Sequence, residues 1–190
     1  MKPENNRAIA WLEKNSPDTW MDISEYFNLD SPHSTAALHW IVLQPQCDKA
    51  TAQCIFFSNN AGWSVEDSLC YNEHNGPEPG IYGTIAKRWN DGSFFDSDIA
   101  SYEHLEKAVS LYERTDKSSI ECWPVDNSIT KRLRGTRIVN VKTMLTPDLR
   151  YLIYTMGTLI KCKPEDKAAL IKWLRDEGLH EEIPAVERLM

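Results

Sequence analysis

The residues with the chemistry to act as ligands or nucleophiles are few and widely spread. His33 and His39 stand six apart and Cys70 and His74 four apart, yet neither pair has the second pair that would complete a four-ligand structural zinc site. Asp96-Ser97-Asp98 has the form of a metal-binding D-x-D, but it falls where a turn or helix cap is expected, and the capping reading outweighs it. Cys47 and Cys54 lie seven apart on or beside an apolar run, which suits small buried hydrophobes better than nucleophiles. No G-x-S-x-G, G-x-x-x-x-G-K-[ST] or G-x-G-x-x-G is present, so a serine elbow and a phosphate cradle both lack their backbone loops. No catalytic residue, cofactor or metal is therefore assigned.

Charge offers more. The chain of 190 residues carries a formal −7, distributed unevenly: residues 1 to 103 hold 15 acidic and 6 basic side chains. An acidic half disfavours nucleic acid, whose phosphates require cations to displace condensed counterions, and attracts a basic protein partner. The opposing feature is a basic cluster of Lys131, Arg132, Arg134, Arg137 and Lys142. Few aromatics are interleaved there to stack bases, so a solvated patch or an intramolecular partner for the acidic half is the better reading. Five irregularly spaced cysteines without a CxxC, and no apolar segment near the roughly 20 residues a spanning helix needs, lead to reduced thiols, no membrane partner and a cytoplasmic location.

The elements that must position these residues read as helices. Ala8, Trp11 and Leu12 share one stripe, and Ser16-Pro17 caps a second helix with Trp20, Ile23 and Phe27 in step. Ser31-Pro32 opens a third, with Ala37, Trp40 and Ile41, which Gln44-Pro45 stops. Asp48 caps a fourth, apolar nearly all round through Ala52, Cys54, Ile55, Phe56 and Phe57, and so expected to be central. Residues 62 to 80 read as a long exposed acidic connection. Ile81, Ile85 and Trp89 line a further helix ended by Asn90-Asp91-Gly92, and Leu105, Val109 and Tyr112 another. Periodicity then lapses across an aperiodic stretch that marks the candidate boundary. A short β element fits 137 to 141, Pro147 opens a helix reaching Ile160, Pro164 opens one to Glu177, and a last short helix follows Glu181. The fold class is mainly α: a compact helical domain over 1–114 and a helical C-terminal extension over 115–190 that shares the same core.

Two runs carry a family resemblance. Leu38 to Phe57, LHWIVLQPQCDKATAQCIFF, is similar to the signature of the bacterial domain of unknown function 4274, with Gln44, Pro45, Cys47, Asp48, Lys49, Ala50, Thr51 and Ala52 in its run and Phe57 where the family has tryptophan. Ile85-Ala86-Lys87-Arg88-Trp89, with Gly92, Phe94 and Asp98-Ile99-Ala100, resembles a second stretch of the same family. The resemblance covers residues 9 to 103 and brings no established activity; its association with bacterial toxin, immunity and secretion neighbourhoods implies an immunity-type role. The run itself reads as packing and capping, since Pro45 ends one helix, Asp48 starts the next and the small residues allow close helix approach.

Taken together, the sequence predicts a non-catalytic protein that neutralises a toxin or secreted effector through an acidic surface. The expected contacts are Asp18, Asp22, Glu25, Glu66, Asp67, Glu73 and Glu78. The alternative is a small enzyme or ligand-binding domain with a pocket near Trp40, Asp48, Arg88 and Trp89.

Overall fold

Proline and capping residues start most of the helices where the sequence places them. The computed structural model describes residues 7–27, 32–58, 80–101, 105–114, 125–136, 146–156 and 162–189. Within them lie α1 (Arg7–Lys14), α2 (Trp20–Ser24), α3 (Pro32–Leu43), α4 (Lys49–Ser58), α5 (Ile81–Asn90), α6 (Leu105–Arg114), α7 (Pro147–Met156), α8 (Pro164–Asp176) and α9 (Ile183–Glu187). Ser16 caps the 3-10 turn that leads into α2, its hydroxyl accepting from the Asp18 N–H at 3.4 Å. Gly92 and Gly178, at φ of 64° and 72°, supply the left-handed residue that ends α5 and α8. In both places the next N–H reaches back to close the last turn, Ser93 to the Arg88 carbonyl at 3.0 Å and Leu179 to the Leu174 carbonyl at 2.8 Å.

Helix α4 is the hub. Every residue from Ala50 to Phe57 is buried, and α2, α5 and α6 all pack on it. Its small residues do what their size allows: Ala50 and Cys54 form a buried cluster with Met21 of α2 and with Ile99. Phe56 and Phe57 meet Tyr112 of α6 edge-on at 5.7 Å each, the arrangement that ring quadrupoles favour. Helix α1 touches both α3 and α7, and α7, α8 and α9 pack on one another. One contiguous apolar cluster therefore runs from Ala8 to Val186, with Leu152, Leu170 and Leu174 in it.

The expectation for α2 needs correction. Spacing carried that helix to Phe27, but it ends at Ser24, and Phe27 is buried just beyond, its N–H on the Ser24 carbonyl at 3.2 Å. Among the described residues β structure is confined to a parallel bridge between Asp48 and Phe95. The expected strand at 137–141, the acidic connection from 62 to 79 and the end of α7 towards Ile160 lie outside the described residues.

Residues 125–136 are tied down by a buried amide. Gln53 is 1% exposed on α4, and its Nε2 donates to the carbonyls of Ile129 at 2.6 Å and Lys131 at 2.9 Å. Its Oε1 accepts from the Ser101 hydroxyl, whose oxygen accepts from the Leu133 N–H at 2.9 Å. Beside this node Gly135 lies against the 98–100 backbone so closely that a Cβ would sit 2.3 Å from the Asp98 carbonyl oxygen and 2.6 Å from the Ala100 nitrogen. Backbone cannot yield as a side-chain tip can. Gly135→Ala is expected to destabilise the fold by about 3 kcal/mol, the upper end of the overpacking range, read from urea unfolding; a loss below about 0.5 kcal/mol would contradict this close approach.

Candidate functional site

The two sequence runs that carry the family resemblance meet in space. Asp48, 4% exposed, precedes α4; its Oδ1 accepts from the Ala50 N–H at 2.7 Å, as an N-cap should. Its Oδ2 accepts from the Ser97 N–H at 2.9 Å, 49 residues along the chain. The backbone completes the junction, with Lys49 N–H on the Phe95 carbonyl at 2.8 Å and Phe95 N–H on the Cys47 carbonyl at 3.0 Å.

Arg88 does for the end of α3 what Asp48 does for the start of α4. One guanidinium nitrogen donates to the carbonyls of Val42 and of Gln44, the latter at 2.9 Å, and another to the Ser93 carbonyl at 2.8 Å. These are acceptors that a helix terminus leaves open. The guanidinium also stacks 4.3 Å from the Phe94 ring centre, and Lys49 sits 5.1 Å over Trp89 while lying 3.9 Å from Asp96. The D-x-D run is likewise in use as turn chemistry. Ser97 Oγ accepts from the Ile99 N–H at 3.2 Å, and Asp98 accepts from the Thr136 N–H at 3.1 Å and from its hydroxyl.

The four residues expected around a pocket, Trp40, Asp48, Arg88 and Trp89, each have partners within the fold. Trp40 packs edge-on against Trp20 at 5.3 Å, Asp48 and Arg88 bind backbone, and Trp89 donates its indole N–H to Ser128 Oγ at 2.9 Å. Cys47 is buried, and burial pushes its thiol up to about 12, Arg88 pulling it down and Asp48 raising it further. Such a thiol supplies no thiolate at neutral pH. No group of three or more His, Cys, Asp or Glu side chains among the described residues is placed to hold a metal ion, and no described helix is long and apolar enough to cross a membrane.

What opens to solvent beside the clamp is a groove of about 600 Å³ lined by Trp89, Asn90, Asp91, Gly92, Val125, Asp126 and Ser128. Asn90 holds its two walls together, Oδ1 accepting from the Asp126 N–H at 2.8 Å. Asp91 and Asp126 are exposed. Hydrogen bonding from the Ser128 hydroxyl, then from its N–H, holds the Asp126 carboxyl below the usual carboxylate range, with Lys131 adding a smaller pull. The carbonyl end of α5 adds negative partial charge to the same wall. The groove suits a cationic side chain.

The expected contact residues fare unequally. Asp18 and Glu25 are half-buried at the two ends of α2. Asp22 is 6% exposed, so a partner cannot reach it: all five residues of α2 are buried, and a helix this short, wedged against α4, keeps no solvent face. Glu66, Asp67, Glu73 and Glu78 lie outside the described residues. Sequence reasoning passed over Asp91 and Asp126: Asn90-Asp91-Gly92 was read only as a helix stop, and Asp126, which caps a 3-10 turn, falls in the stretch read as aperiodic.

Two outcomes test the clamp. Asp48→Asn leaves one acceptor oxygen for two N–H groups, so stability falls by about 1–3 kcal/mol, and Arg88→Ala by a similar amount, read by chemical denaturation; unchanged stability in both variants would return these residues to a binding role. His39 reports separately. It shares a 3.3 Å contact with Thr84 Oγ1, and burial holds its imidazole below the usual 6.5. The unfolded chain therefore binds the proton more readily, so this contribution is present above pH 6.5 and lost as pH falls from there through the folded-state value. His39→Gln is expected to flatten that part of the pH–stability curve in denaturant titrations, and an equally steep curve would show that other groups set it.

No protein-family model matches this chain, and neither does any curated protein or solved structure.

Proposed function

We propose that this chain is a non-catalytic cytoplasmic interaction protein of the immunity type, which binds a bacterial toxin or secreted effector and neutralises it through acidic surface. The observation that carries the reading is the groove at the end of α5. Its exposed carboxylates Asp91 and Asp126 stand on its two walls beside Trp89, and the wall that carries Asp91 belongs to the half of the chain with 15 acidic against 6 basic residues. A Lys or Arg side chain entering there gains Coulomb attraction from carboxylates on two sides. Asp18, Glu25, Glu66, Asp67, Glu73 and Glu78 are the further carboxylates that this proposal assigns to partner contact.

The polar groups of the resemblance fit the same reading. Asp48 and Arg88 are engaged with backbone, which leaves recognition to the carboxylates around them. Occluding the basic substrate-binding surface of an enzyme requires shape and charge from the inhibitor but no chemistry.

Affinity capture from the native bacterium, followed by co-expression of each captured candidate with this chain, tests the proposal. The expected result is a stoichiometric basic partner whose toxicity this chain suppresses. In the same assay Asp91→Lys, at an exposed position on the groove wall, should slow association about tenfold at low salt, with the difference shrinking as salt rises. Unchanged association with a partner so identified would refute the assignment of this groove.

A further inference from the structure

A second cleft shares no lining residue with the acidic groove. It encloses about 270 Å³ between α1, α7, α8 and the turn after α8, and is lined by Arg7, Ala10, Trp11, Lys14, Tyr151, Leu152, Trp173 and Leu179. The walls are rings and aliphatic carbons: Tyr151 and Trp173 are inclined at 47° with centroids 6.2 Å apart, and Trp11 approaches from α1.

The two ends of this cleft differ in charge. At one end Arg7 is fully engaged, with Nε 2.9 Å from Glu182, a second nitrogen 3.6 Å from Glu181, and the guanidinium 5.9 Å above the Tyr151 ring. The Tyr151 hydroxyl donates to Glu182 as well. That end sets one fixed cation against two carboxylates and so favours no anion. At the other end, two helical turns or roughly 10 Å along α1, Lys14 is exposed and makes no ion pair among the described residues. The cleft thus offers an apolar aromatic interior with one cation at its mouth.

We infer that the cleft between α1, α7 and α8 is a binding site for a small aromatic carboxylate, its ring seated among Trp11, Tyr151 and Trp173 and its carboxylate on the Lys14 ammonium. The volume agrees with a one- or two-ring acid, since an apolar cavity of about 150 Å³ already holds benzene. Offset and edge-on ring contacts supply the affinity, and Lys14 supplies the preference for an anion. The inference does not depend on the proposed toxin partner.

The full chain titrated with naphthoate, followed by calorimetry and by the indole N–H signals in proton–nitrogen correlation spectra, provides the test. Trp11 and Trp173 signals, assigned through Trp→Phe variants, should shift on saturation. Lys14→Gln should weaken naphthoate about fivefold and leave the neutral naphthylmethanol unchanged. Ala10→Trp, at an exposed position, should fill the cleft and abolish binding of both probes while thermal unfolding stays as in the parent chain. Indole signals of Trp11 and Trp173 that do not move at millimolar naphthoate would overturn the site. Equal weakening of both probes by Lys14→Gln would overturn the carboxylate assignment.

Discussion

One carboxylate joins the parts of this fold that sequence keeps apart. With one oxygen Asp48 starts α4, and with the other it holds the Ser97 N–H. A charged acceptor facing two N–H donors in a buried position forms bonds stronger than neutral ones, and leaving either donor unmet costs its full desolvation. The position of α4 relative to the 95–97 backbone follows from this. Arg88 then fixes the end of α3 against the turn after α5, and Gln53, further along α4, draws 129–133 and Ser101 onto the same helix. An apolar helix placed by two polar groups, Asp48 and Gln53, gives the hydrophobic cluster a single register.

Features whose cause is local were readable in the sequence. Ser16-Pro17, Asp48, Asn90-Asp91-Gly92 and Gly178 each act within a few residues of themselves, so cap and stop signals carried helix starts and ends into the structure nearly unchanged. The centrality of α4 was legible for a related reason, because a helix without a polar face must be enclosed. Partners distant in sequence left no such mark. Gln53 is held by groups 76 and 78 residues away, and Gly135 is required by backbone at 98–100, so neither stood out from its neighbours. Asp22 was misread for the same reason: spacing placed it on a polar face, but α2 is five residues long and has no exposed side.

The division between scaffold and surface also bears on what the protein does. Within the run from Gln44 to Ala52 and its counterpart at 85–100, the most chemically capable side chains, Asp48 and Arg88, have their polar atoms on main-chain partners. Exposed carboxylates stand instead where two segments leave a groove, at Asp91 and Asp126. The aromatic cleft beside α1 is of another kind, apolar within and cationic at one edge. The protein therefore carries two concave surfaces of different lining, one bordered by carboxylates and one apolar with a lysine at its mouth.

Native-state hydrogen exchange at the backbone amides of Ser97, Lys49 and Phe95 tests most directly whether the Asp48 junction organises the fold. Ser97 and Phe95 sit outside helices and Lys49 is the first residue of α4, positions without an intrahelical bond, where exchange is ordinarily fast. If the junction organises the fold, all three exchange only through global unfolding, at the same rate as the amides of Ile55 and Phe56 in the middle of α4. Exchange of Ser97 and Lys49 orders of magnitude faster than those α4 amides would mean that the junction opens independently, and that α4 is placed by apolar packing alone.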